Sequence, residues 1–249
     1  YMSNGSVQTS EVETFKVIIP KRKIVIEDYT GAWCGYCPRV SAAIEAIREV
    51  TDDIAVIAIH NDDAMAVAFE EDLRDEFGVS GFPAGRVNRT LNWSNPHPIE
   101  TVTDIAGLDT NIAIAIRSQL NGQDLAVEVN VVSEDALENL KLVVYLVEDG
   151  ILSDQVNYFN ADENSPYFGQ GNPIENFVNE DVLRASLSNI LGDPIEATPA
   201  LQEYTRTYST SLNASFDPSK MHIIAMVVQE DQTALNAQVT TLDTFQEYE

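Results

Sequence analysis

Thr30–Pro38 reads TGAWCGYCP and holds the only two cysteines of the chain, Cys34 and Cys37. What flanks it decides its meaning. Lys23–Tyr29, KIVIEDY, is a mostly apolar run that turns acidic at its end and reads as a buried strand. After the cysteines, Val40, Ile44, Ile47 and Val50 recur at spacings of three and four, the apolar stripe of a helix. The cysteines therefore stand where a strand hands over to a helix. Free backbone N–H groups and the dipole at a helix N-terminus stabilise a thiolate. Cys34, at the mouth of the turn, is positioned to attack, and Cys37, one turn on, to resolve the mixed disulfide. Pro38 is tolerated because first-turn N–H groups need no intrahelical acceptor. A static disulfide and half of a metal site are the competing readings. Structural zinc wants four ligands, and His60, His97 and His222 stand at no ligand spacing from the pair. A soft ion such as Cu(I) would find no methionine or histidine beside the thiolates. No metal and no cofactor is expected.

The chain has 249 residues, 44% apolar, enough for two cores. Forty acidic against fourteen basic residues give a net charge of −26. Nucleic acid and anionic membrane surfaces are excluded as partners of such a surface. No apolar run reaches membrane-spanning length; Ile223–Val228, IIAMVV, is among the longest. No stretch matches a calcium-binding loop. The first residues lack the basic and apolar regions of a signal peptide, so the expectation is a cytoplasmic protein or a trimmed form of an exported one.

Along the chain, Ile54–His60 reads as a strand covered on both faces, with His60 as a satisfied core histidine. Met65, Phe69, Leu73 and Phe77 form a second helix stripe closed by Gly78. SGFPAGRVNR leads through a turn into a strand, and Ile105, Leu108, Ile112, Ile116 and Leu120 suggest a last helix ending at Asn121–Gly122. This β-α-β-α-β-α order implies an α/β sheet. Beyond it strand patterns dominate: Leu125–Val131, Leu140–Val147, Tyr204–Leu212, His222–Val228 and Leu235–Val239, with shorter candidates at Val156–Phe159 and Val182–Leu187. An all-β sandwich, immunoglobulin-like, is expected there. The division is 1–122 and 123–249. Asn160–Asn179 reads as a long loop, functional or passive.

Residues 23–122 resemble a thioredoxin-fold domain, on WCGYC at 33–37 and the Phe82–Pro83 step. That resemblance implies a cis Pro83 against the motif, with Phe82 presenting its backbone to substrate peptide, and Trp33 and Tyr36 shaping the docking surface. It places the family's buried acid on Asp28, with a raised pKa and a proton to exchange with Cys37. Glu27, on the other face of the strand, is expected to be solvated. The lysine that partners the acid in thioredoxins would fall near Ala58, where there is none. Gly35-Tyr36 also lacks the histidine of oxidising members, which argues against a strong oxidant. Over the whole chain, EDYTGAWCGYCP, GFPAGRVNR and VLRASLSNILGDPI resemble the outer-membrane-protein family of Bacteroidetes-type bacteria, with a thioredoxin-like domain followed by a β-rich domain. The resemblance implies a cell-envelope location and a lipid anchor ahead of these residues as the sole membrane attachment.

Two functions compete. One is a thiol–disulfide oxidoreductase acting on protein thiols and disulfides, served by a redox partner protein, with Cys34, Cys37 and Asp28 catalytic and Trp33, Tyr36, Phe82 and Pro83 binding substrate. The other is a surface-exposed binding or adhesion lipoprotein that uses the thioredoxin-like domain as scaffold.

Overall fold

The computed structural model describes residues 18–249, so the first residues, read as lacking the features of a signal peptide, lie outside the described residues. The first half runs β1 (Ile24–Thr30), α1 (Pro38–Arg48), β2 (Ile54–His60), α2 (Glu70–Glu76), β3 (Ala84–Val87), β4 (Leu91–Trp93) and α3 (Glu100–Thr103). Then come β5 (Ile112–Asn121), β6 (Asp124–Ser133), β7 (Leu140–Glu148), β8 (Ile151–Gln155), β9 (Ile174–Asn179) and β10 (Val182–Ser186). The chain closes with β11 (Asp193–Pro194), β12 (Glu203–Ser211), β13 (Met221–Gln229), β14 (Ala234–Thr241) and β15 (Phe245–Gln246). No helix among the described residues is long and apolar enough to cross a membrane.

The first half is a thioredoxin fold. β1 pairs parallel with β2 and antiparallel with β3, which pairs with β4. The β-rich remainder is a sandwich, and one of its sheets is the same sheet continued. The strand order is β14-β13-β7-β10-β2-β1-β3-β4, with β10 bridging to β2 through Val182 and Ala58. A separate sheet, β12-β6-β5-β15, stacks on it. Alternation sorts the side chains into cores. Leu142, Val144 and Leu146 of β7 face β5 and β6 across the sandwich. Val143, Tyr145 and Val147 turn the other way and join Tyr29, Ile57 and Leu73. Ile24 and Ile26 meet Val40, Ile44 and Ile47 of α1 in the third core.

Several expectations are corrected. The last helix stripe is not a helix: Ile112–Asn121 is strand β5, paired with β6 from Ile112↔Ser133 to Asn121↔Asp124. Apolar residues at 112, 116 and 120 satisfy a period of two as well as 3.6, and β-branched Ile112, Ile114 and Ile116 are better served by a ladder. The expected division at 122 falls in the turn of that hairpin. α1 ends at Arg48, leaving Val50 63% exposed, and α2 begins only at Glu70, beyond Met65. Val156–Phe159 is loop, with the strand lying just before it as β8, and the end of the expected 160–179 loop is β9.

Glu27 is the sharpest reversal: it is fully buried, because the β1 face opposite α1 is covered by α2 and by the β-rich half. Its partner is Arg89, also fully buried, with Nε 3.0 Å from Glu27 Oε1. Arg89 further donates to Gln232 Oε1 at 3.3 Å and Tyr145 OH at 3.2 Å, and lies 4.7 Å from the Phe77 ring centroid. One guanidinium thus ties four distant segments together. Removing one member of a buried pair strands the other charge. Arg89→Met is expected to cost about 3–5 kcal/mol, and Glu27→Leu with Arg89→Met to cost less than either alone. Urea unfolding of the three variants checks this non-additivity.

Candidate functional site

β1 delivers the chain to Gly31, and the loop Gly31–Cys37 turns it into α1. The backbone closes on itself, with Cys34 N–H donating to Gly31 O at 2.9 Å and Cys37 N–H to Cys34 O at 3.1 Å. Cys34 and Cys37 are joined as a disulfide. The turn after β2 braces this loop. Asp63 Oδ2 accepts from Ala32 N–H at 2.9 Å and sits 2.8 Å from Nδ1 of the buried His60. Trp33 Nε1 donates to Asn61 O at 2.7 Å. A methyl group at Gly31 would lie 2.7 Å from that indole nitrogen, which explains the glycine.

The structure brings six of the expected site residues to this loop. Trp33 and Tyr36 are 46% and 51% exposed on its rim, and Trp33 meets Phe82 edge-on at 5.4 Å. The Phe82–Pro83 peptide is cis. Cys34 and Cys37, by contrast, are only 4% and 1% exposed. What covers the loop comes from the second half. Val156 N–H donates to Ala32 O at 2.8 Å and Tyr158 N–H to Gly35 O at 3.0 Å. Gln155 Nε2 donates to Cys34 O at 3.0 Å and Gly31 O at 3.4 Å. Tyr36 meets Tyr158 edge-on at 5.0 Å and Phe159 at 6.0 Å. The covering loop is itself built: buried Asn157 donates to Tyr167 O and Gly171 O at 3.0 and 2.9 Å, and its own N–H bonds Asn172 at 2.9 Å. Sequence reasoning missed Gln155, Tyr158 and Phe159; they stand more than 115 residues from the motif, and no local pattern links them to it.

Asp28, the seventh residue, lies on the α1 side of β1, 3% exposed. Burial first, and the nearby Asp181 carboxylate second, push its pKa up to about 8. Its Oδ1 has no hydrogen-bond partner. It lines a cleft of about 520 Å³ between α1 and the β8–β9 segment, together with Thr30, Arg48, Tyr167 and Asp181. Burial also raises Asp181, to about 6, against the pull of Arg48, whose Nη2 is 2.5 Å from Asp181 Oδ2. Asp28 is in register with Ala58, where the lysine of thioredoxins is missing. Ala58 N–H instead donates to Asp181 O at 2.8 Å. An acid thus enters the surroundings that lack a base, and Asp28 holds its proton more firmly. Among the described residues no cluster of three or more metal-ligating side chains occurs.

A thioredoxin fold with a disulfide-forming CxxC at its β1–α1 junction defines the class, and comparison with known proteins agrees. Residues 6–93 match the thioredoxin family model, and residues 70–246 match that of outer membrane protein Omp28. The chain belongs to the Omp28 outer membrane protein family, and so to the cell envelope. HBP35 of Porphyromonas gingivalis has a similar structure, with TM-score 0.68 and 18% identity, over 90% of this chain and 76% of that one. A domain of the outer membrane lipoprotein Omp28 from the same organism aligns with TM-score 0.35 and 18% identity, over 54% of this chain and 89% of that one. A protein disulfide-isomerase from Arthroderma benhamiae is 27% identical over 95 residues, 38% of this chain but 17% of that protein.

The raised Asp28 pKa fixes a sign. The folded chain keeps this proton to about pH 8, whereas the unfolded chain loses it near 3.8. Folding takes up a proton between these values, so the Asp28 contribution favours folding at low pH and is lost as pH rises. Asp28→Asn should remove that slope and gain stability on the wild type steadily from about pH 4 to about pH 8. Urea midpoints across this range check it; parallel curves would contradict the burial argument.

Proposed function

We propose that this envelope protein is a thiol–disulfide oxidoreductase acting on protein thiols and disulfides, with a redox partner protein to reset it. The observation that carries the reading is the Cys34–Cys37 disulfide at the N-terminus of α1, with a buried carboxyl on the preceding strand. A partner thiolate attacks Cys34 Sγ; the Cys34–Cys37 bond breaks and its electron pair leaves on Cys37. Asp28, protonated at neutral pH, supplies the proton that Cys37 then takes. Trp33, Tyr36, Phe82 and Pro83 form the surface against which the partner segment lies. The similarity of 95 residues of this chain to a protein disulfide-isomerase supports the same chemistry.

The near-complete burial of both sulfurs favours a second reading, in which the disulfide is a fixed staple in a surface-exposed binding protein. Turnover separates the two. Cys34→Ser should abolish exchange with a model protein disulfide, Cys37→Ser should trap a mixed disulfide on Cys34, and Asp28→Asn should slow exchange about 10²-fold. A Cys34→Ser protein as fast as the wild type would sink the oxidoreductase reading.

A further inference from the structure

The motif loop offers its carbonyl groups outward, and residues 155–158 take them. Ala32 O and Gly35 O accept from the backbone N–H of Val156 and Tyr158, residues two apart in the loop that follows β8. Gly31 O and Cys34 O accept from the Gln155 side-chain amide, which is 3% exposed and also donates to Val156 O at 3.1 Å. Gln155 therefore pins the motif loop and its own segment at once. Tyr158 lies directly on Gly35: a methyl group there would stand 2.5 Å from the ring. Gly35 is not among the glycines with positive φ, so the close approach of Tyr158, and not the turn, demands a glycine between the cysteines.

We propose that residues 155–159 of the β-rich half are a gate over the Cys34–Cys37 disulfide, with Gln155 and Tyr158 as its positioning residues, and that exchange begins when this segment leaves Gly35. The proposal rests on the oxidoreductase reading and adds what controls access. An attacking thiolate must approach Cys34 Sγ in line with the bond it breaks, and rates of exchange follow access. Cys34 is only 4% exposed, so access to it is restricted in the oxidised chain. With the gate lifted, a dithiol partner forms a bond to Cys34 Sγ, and Cys37 leaves with the electron pair and takes a proton. The partner's second thiolate then attacks its own sulfur in the mixed disulfide and releases Cys34. The partner ends as a disulfide, and this chain ends as a dithiol with two more electrons and two more protons. The gate's contacts are to the motif loop of the oxidised chain, so they hold the disulfide form.

The experiment is reduction of the oxidised protein by dithiothreitol, followed through tryptophan fluorescence with Trp93 replaced by Phe in every variant, and with the equilibrium read in the same cell. Tyr158→Ala and Gln155→Ala should each react about tenfold faster or more. Tyr158→Ala should shift the dithiol equilibrium about tenfold toward the reduced chain, about 30 mV. A variant that merely loosens the fold lowers the unfolding midpoint without that shift. Gly35→Ala should accelerate reduction alone, because its methyl displaces the ring, and add nothing to Tyr158→Ala. Wild-type rates in Tyr158→Ala and Gln155→Ala overturn the gate. Should those variants fail to fold, amide exchange in the Cys37→Ser protein decides. The Val156 and Tyr158 amides should lose protection once Cys34 carries a small-thiol adduct, and retained protection overturns the proposal. If the wild type exchanges with no protein thiol or disulfide while Tyr158→Ala still reacts faster with dithiothreitol, the oxidoreductase reading falls and the gate stands.

Discussion

The bridge between Val182 of β10 and Ala58 of β2 is one residue pair long, yet the site depends on it. A thioredoxin sheet that stopped at β2 would leave a row of unpaired backbone groups, an edge that invites other chains. Here β10 meets that edge at Ala58, and β7, β13 and β14 continue the sheet outward. The connection that feeds β10 is the β8–β9 hairpin, so seating β10 on β2 sets that hairpin over the motif loop. The same seating puts Asp181, the residue before β10, beside Asp28. Cover and electrostatics at the disulfide both follow from one strand docking.

Those electrostatics run as a chain from the sandwich to the thioredoxin helix. His222 Nε2 of β13 lies 2.7 Å from Asp149 Oδ2, and Asp149 Oδ1 accepts from Asp181 N–H at 2.8 Å. Asp181 in turn pairs with Arg48 of α1. Each carboxylate has a cation or N–H to answer it until the chain reaches Asp28, whose Oδ1 has none. The least costly state of such a group is neutral. A proton held at Asp28 is therefore the consequence of how the halves meet, in the absence of the lysine that would otherwise oppose it.

How much of this could be read beforehand depended on whether the deciding contact was local. The cysteines, the strand before them and the helix after them lie within 26 residues, Lys23–Arg48, and their place at a strand-to-helix junction could be read from that stretch. The burial of Asp28 was legible only through the resemblance to thioredoxins, which places a buried acid there. Glu27 was not, because the face it points to is covered by Arg89, Tyr145 and Gln232, which chain order keeps far away. The Ile112–Leu120 stripe carried two periods at once, and only pairing with β6 chose between them. Gln155 and Tyr158 carried no signal of their own. Their roles exist only once β10 has closed the sheet.

The glycine between the cysteines joins these levels. As sequence it is an ordinary member of a CxxC pair. In the folded chain it is the point where a side chain from the other half rests on the cysteine loop, at a distance that admits no Cβ. The carbonyl groups of this loop are bonded to residues 155–158. The segment that follows β8 is thus bonded directly to the loop that carries the cysteines. Through β10 the β8–β9 hairpin is continuous with β7 and the sandwich core, so the β-rich half supplies part of the surroundings of the Cys34–Cys37 disulfide.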